Sequence, residues 1–210
     1  MLARIFRRFA SLGVVAAMAA SGLLLASCSD DKPSGPLVPA SMSFTRYQPI
    51  YLDVANIDIV EEYKSPMQEP NVEHLLPYSP AEAMRQWVKD RIRSVGLSNT
   101  LQVIIKDASV VGVELPVKDS LTGYFSPGPD RRYDARLEVE LRIYSSGAMS
   151  EANVVVVATQ SNTISKAASV AERKAAFMGM LTQLMEPTNA ELEKQIFKYF
   201  TRFIIYAQTP

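Results

Sequence analysis

Tyr133-Asp134-Ala135-Arg136-Leu137-Glu138-Val139-Glu140-Leu141-Arg142-Ile143-Tyr144 alternates without a slip between apolar and polar side chains. Successive residues of a strand point to opposite faces, so the stretch reads as a β-strand with one face on a core and one in water. A half-wet strand of this kind belongs to an antiparallel sheet covered on one side only. Ser145-Ser146-Gly147 then turns the chain, and Ala152 to Thr159 returns as an apolar strand, giving a hairpin.

Upstream, Leu101, Val103 and Ile105 alternate with polar partners, and Val110, Val111 and Val113 extend that run into a single second strand. Ile50, Leu52 and Val54 alternate as well, and Ile57 and Ile59 resume after an offset at Ala55-Asn56, which reads as a first strand carrying a bulge. A loop with Pro66, Pro70 and Pro77 separates that first strand from a helix start at Ser79-Pro80-Ala81-Glu82, which precedes the second strand. That tetrad holds an N-cap Ser, Pro at the first helical position and Glu at the third, a capping box. Met84, Trp87, Val88, Arg91, Ile92 and Val95 recur at helical spacing, and Gly96 is placed to end the helix. Trp87, the one tryptophan, is expected in the core.

Downstream, residues 165–185 read as a helix with Val170, Phe177, Leu181 and Leu184 on one stripe, broken by Pro187. Thr188-Asn189-Ala190-Glu191 reads as a second capping box opening a last helix, with Leu192, Ile196, Tyr199 and Phe203 inward. Lys194, Lys198 and Arg202 stand opposite that stripe, and Phe197, Phe200 and Ile204 widen it. Packing on the sheet or lying in a membrane interface would both account for it. The predicted fold class is α+β, in the order strand-helix-strand-strand-strand-helix. It is a two-layer sandwich, an antiparallel-rich sheet with helices on one face, plus an extra C-terminal helix.

The N-terminus carries a different message. Arg4, Arg7 and Arg8 precede an apolar run over residues 12–25, which closes on Leu25-Ala26-Ser27-Cys28. Basic, apolar, then small is the order of an export signal, and the run is shorter than the roughly twenty apolar residues of a membrane span. The expected organisation is a signal peptide over residues 1–27, a lipidated N-terminus and tether over 28–44, and one periplasmic domain over 45–210. Residues 29–43 are polar and Pro-rich with no apolar period. Of 22 basic residues, the loss of three with the signal leaves 19 against 22 acidic, so no basic surplus points to nucleic acid. Cys28 is the only cysteine, and the domain must stand without disulfides.

Motifs of catalysis are missing from the sequence. His74, the only histidine, lies in a Pro-bracketed loop, and no Gly-x-Ser-x-Gly elbow occurs. Gly123 and Gly128 lack the strand-to-helix context of a phosphate loop. The carboxylates at Asp134, Glu138 and Glu140 alternate with Arg136 and Arg142, as expected for cross-strand charge pairing on a solvated face. No catalytic residue, metal site or cofactor is expected. Residues 116–130 form a long connection in which Leu121, Tyr124 and Phe125 sit among Gly and Pro, either folded back on the domain or exposed as an interaction loop.

The ending Leu-Ala-Ser-Cys28 resembles the lipobox of bacterial lipoproteins, in which the Cys thiol is diacylated and the signal removed. Ser29 after it implies, by the same resemblance, sorting to the outer membrane. With the Pro tether, the element order over residues 45–185, and the phrases running from Pro70-Asn71-Val72-Glu73-His74-Leu75 to Trp87 and from Arg132 to Val139, the chain resembles the auxiliary lipoproteins of ABC-type envelope transport systems. It resembles more loosely the lipoprotein that plugs the lipopolysaccharide translocon. The resemblance implies a non-catalytic auxiliary or binding component facing the periplasm, held to the membrane by its lipid anchor, with a protein partner in an envelope complex or a lipid cargo. A structural tether to a protein complex is the alternative, and a hydrolase the weakest reading. An apolar groove between helices and sheet would favour cargo, whereas a filled core with a polar docking face would favour the tether.

Overall fold

The computed structural model describes residues 42–116, 130–145 and 150–206. Cys28 and the segment with Leu121, Tyr124 and Phe125 lie outside the described residues. All the described residues belong to one compact unit, Gly35–Pro210.

The elements in order are β1 (Ile50–Leu52), β2 (Asn56–Glu61), α1 (Pro80–Arg91), β3 (Ile92–Ser94), β4 (Thr100–Asp107), β5 (Val110–Glu114), β6 (Arg131–Tyr144), β7 (Ser150–Ile164) and α2 (Val170–Tyr199). The organising strand is β6. On one side it pairs with β7 along its whole length, antiparallel, as the predicted hairpin requires. Its other side is shared end to end by β4 and β5, both antiparallel. The run from Leu101 to Val113 is therefore two strands in line. They are divided at Ala108-Ser109, where the Asp107 carboxylate accepts from the Ser109 amide at 2.9 Å. β2 completes the sheet beside β4, and that pairing is parallel.

The Ala55-Asn56 offset is a change of sheet, not a bulge. β1 leaves the main sheet and pairs in parallel with β3. The Ala55 amide turns to the Ser98 carbonyl at 2.8 Å before β2 begins. This also corrects the end of α1. The helix stops at Arg91, four residues before Val95, because Ile92 adopts extended backbone and its neighbours are drawn into pairing with β1. Gly96 is not a helix cap. A Cβ there would lie 2.2 Å from Asp53 Oδ1 and 2.5 Å from its carbonyl carbon, so glycine permits the close approach of two chains.

The start of α1 is as expected. Ser79 Oγ accepts from the Glu82 amide at 3.2 Å, while Glu82 Oε2 accepts from the Ser79 amide at 2.7 Å. The C-terminal region differs from expectation. Residues 170–199 form one helix, and Pro187 lies inside it. Proline removes a helix hydrogen bond at a cost of about 3 kcal/mol in an interior turn. Here Pro187 and Gln183, whose carbonyl loses its donor, are both exposed, so water can serve the freed group. Thr188 is no cap: its hydroxyl donates to the Leu184 carbonyl at 2.6 Å within the helix. The true cap is Ser169, reciprocated by Glu172. Val170 and Tyr199, expected inward, are exposed at the two helix ends.

Both helices cover the face of the sheet that carries Tyr133, Leu137, Val139, Leu141 and Ile143. Tyr133 meets Phe177 of α2 edge-on at 4.8 Å between ring centroids. Trp87, Met84, Leu184 and Leu192 are fully buried between the layers. Ile196, Phe200 and Phe203 are buried too, so the apolar stripe of the last turns packs on the domain. No described helix is long and apolar enough to cross a membrane.

The last turn of α1 holds the incoming chain. Phe44 is buried, and its amide donates to Asp90 Oδ2 at 2.7 Å. Arg91, 1 % exposed, donates to the Gln48 carbonyl and to Glu193 of α2, with its guanidinium over the Tyr47 ring. Beside it, the Trp87 indole N–H donates to Asn189 Oδ1 at 2.8 Å. Residues 43–48 are thus strapped to the contact between the two helices.

Candidate functional site

A cleft of about 440 Å3 opens where the end of β2, the following Pro-rich loop and the first turn of α1 converge. The loop is placed by backbone bonds to β5: Val72 donates to Val110 at 2.8 Å and Gly112 to Pro70 at 2.8 Å. The Glu69–Pro70 peptide bond is cis. A Cβ at Gly112 would sit 2.6 Å from Arg131 Nε, so a larger residue there would displace the Arg131 side chain, which pairs with Glu69 at 2.9 Å.

Inside the cleft, Glu73 is the telling residue. It is 5 % exposed; its Oε1 accepts from the Tyr63 hydroxyl and from Asn71 Nδ2 at 3.1 Å, while its buried Oε2 has no partner among the described residues. Burial first, then the hydrogen bond to Glu73 and its charge, push the Tyr63 phenol well above the usual tyrosine range. Tyr63 is therefore a fixed donor and not a base. Around it stand Arg85, paired with Glu61, and the Ser79–Glu82 capping pair. Leu76, Pro77, Ala81 and Ala108 supply apolar wall, and His74 lines the mouth, exposed. Apart from Glu73 Oε2 and the exposed His74, the polar side chains named here already serve one another. Such a set can receive a hydrogen-bonding or cationic group, but it offers no activated nucleophile.

The second surface is the outer face of the sheet. Arg132 makes a forked contact with Asp134 at 2.9 Å through Nε and at 2.9 Å through Nη2. Arg136 reaches Glu138 at 2.6 Å along the strand and Asp107 at 3.0 Å across it. Glu140 lies between Lys106 of β4 and Arg142 at 2.6 Å. The expected cross-strand pairing is present, and residues two apart on β6 pair as well. Arg132 first, then the Ser161 hydroxyl, hold the Asp134 carboxyl below its ordinary range; Lys106 and Arg142 do the same for Glu140 against the opposing effect of burial.

Of the residues singled out in the sequence, His74 reaches the cleft, whereas Leu121, Tyr124 and Phe125 fall outside the described residues. Tyr63, Asn71 and Glu73 were not singled out. Their spacing in a Pro-rich loop carries no periodic signal, and only the fold brings them together. Among the described residues no three His, Cys, Asp or Glu side chains gather as metal ligands.

No family model matches the chain, and no curated protein matches it. Among solved structures, the chain is similar to a DUF330 protein from Xanthomonas campestris at 12 % identity and TM-score 0.30, covering 72 % of this chain and 95 % of that one. It is also similar to rare lipoprotein B from Shewanella oneidensis at 11 % identity and TM-score 0.24, covering 66 % and 98 %. Likenesses this distant carry no assignment.

Proposed function

We propose that this chain is a lipoprotein of the bacterial envelope, held at the outer membrane by acyl chains on Cys28 and facing the periplasm. There it acts without catalysis, as an auxiliary or binding component of a transport or assembly system. The observation that carries the reading is Leu25-Ala26-Ser27-Cys28 at the end of a basic-then-apolar leader. Two or three acyl chains anchor stably where one does not.

The domain supports a protein partner over a lipid cargo. The space between sheet and helices is filled by Trp87, Leu101, Leu141 and Leu184, each at 0 % exposure, while the outer face is polar and studded with ion pairs. In the cleft the Tyr63–Glu73 pair is built to hold a polar group rather than an acyl tail. Leu121, Tyr124 and Phe125 are the proposed apolar contact with the partner.

Metabolic labelling with palmitate tests the anchor. Cys28→Ser is expected to abolish incorporation and leave an unprocessed or soluble form. A labelled, mature-sized membrane band from that variant would overturn the proposal. Replacing Leu121, Tyr124 and Phe125 together by Ser is expected to leave the unfolding midpoint nearly unchanged while partner capture is lost.

A further inference from the structure

A sheet edge presents unpaired N–H and C=O groups, which natural proteins shorten, charge or cover. This sheet treats its edges unequally. β2 is six residues long and carries Asp58 and Glu61. The outer edge of β5 is covered by the loop, through Val72 and Pro70. β7 is 15 residues long and pairs only with β6 among the described residues. From Ala152 to Ser165 it has no charge, no glycine and no proline. Val155 and Val157 on its outer face are each 49 % exposed, while Val154 and Val156 are held inward against the core.

We propose that the β7 edge pairs with β7 of a second copy of this chain, antiparallel about a two-fold axis at Val156. The occupant follows from the pattern of the strand. About that axis Val155 of each copy faces Val157 of the other, and Asn153 faces Thr159, so apolar meets apolar and polar meets polar. No like charges meet in that register, since the stretch has none to oppose. The isologous contact closes on itself, and the two outer faces merge into one continuous sheet. The edge that β2 protects by acidic charge stays at the far side of each copy, where it discourages growth beyond two.

Sedimentation of the full chain in detergent tests this directly. The wild type is expected at twice the chain mass at tens of micromolar. Val155→Lys with Val157→Lys places like charges across the axis and is expected to weaken association on the order of a hundredfold. Val155→Lys with Val157→Glu places opposite charges there and is expected to restore the pair. Val155 and Val157 lie on the outer face opposite Glu140 and Glu138, so melting at a concentration where every form is monomeric checks that each variant is folded. A second readout needs no variant: amide exchange of alternate β7 residues should slow as wild-type concentration rises. A wild-type monomer at every concentration overturns the inference, even if a foreign strand is later found at this edge. Undiminished association of the double-Lys variant, or failure of the Lys/Glu variant to recover, overturns it equally.

Discussion

Arg91 and Arg142 each meet a carboxylate, yet they sit in opposite surroundings. The Arg91 side chain is 1 % exposed, at the contact of α1 with α2; Arg142 is 38 % exposed, on the outer face of β6. The buried guanidinium donates through its two Nη atoms to the Gln48 carbonyl and to Glu193, and so decides where residues 43–48 run. The exposed one shares Glu140 with Lys106 in a row of ion pairs, where loss of one member leaves others in place. Arg91 is buried while its acceptors, Gln48 and Glu193, lie at the rim, so removing it forfeits two hydrogen bonds made by a desolvated guanidinium, whereas exposed pairs are screened and weak. The difference is therefore one of specification: the interior charges select a chain path, and the outer ones keep an open sheet face wet.

Four substitutions would break or sharpen that contrast. Trp87→Ala is expected to cost about 3–5 kcal/mol, as large core truncations do, and it leaves Asn189 without its donor. Denaturant unfolding measures it, and near-wild-type stability would remove Trp87 from the core. Arg91→Leu keeps much of the volume but deletes both donors, and about 2–3 kcal/mol should be lost, with faster amide exchange at Phe44. A loss below about 0.5 kcal/mol would put Arg91 on a par with the outer row.

Glu140→Gln tests the intermediate case, a carboxylate of the outer row that is itself only 2 % exposed. The expected cost near neutral pH is about 1 kcal/mol. Lys106 first, and Arg142, lower the folded-state pKa of Glu140 below its unfolded value. Its contribution is therefore full above the unfolded pKa, about 4.3, and is lost as pH falls through the folded value. The stability gap between wild type and variant should close in acid; a gap independent of pH would mean the carboxylate charge is idle. Arg132→Ala, at the exposed end of the row, should change stability by no more than about 0.5 kcal/mol in the same measurement.

The parts of this fold that were legible in the sequence are those set by local repetition. The alternation of β6, the hairpin to β7 and the Ser79–Glu82 cap all depend on neighbours within a few residues, and each is found in the structure. The errors lie where tertiary pairing outweighed local preference. Ile92 to Ser94 has helical spacing but is claimed by β1, and Ala55-Asn56 imitates a bulge while the chain passes between sheets. Pro187 reads as a break because proline lacks the N–H and crowds the carbonyl four residues back, whereas here that turn faces solvent and water can serve the freed carbonyl. Ser169 and Glu172 offered the same capping signature as Ser79 and Glu82, and were readable in principle. The cleft was not readable: the burial of Glu73 depends on a loop laid across β5, and nothing in the spacing of Tyr63, Asn71 and Glu73 announces it.

The strap at residues 43–48, with β1 behind it, is where a membrane anchor of the proposed kind would load the domain. Under the proposed anchoring at Cys28, tension would reach the described residues at Met42 and pass to β1. Because β1 runs parallel to β3 and meets Ile204 on its other edge, a pull directed along it loads those bonds together, in shear, rather than peeling them one at a time. Phe44 acts as a peg ahead of them, and Arg91 as a latch across the Gln48 carbonyl. Stretched between residues 42 and 206 in a force spectrometer, the Arg91→Leu chain should yield at lower force than the wild type. Equal rupture forces would show that the latch bears no load.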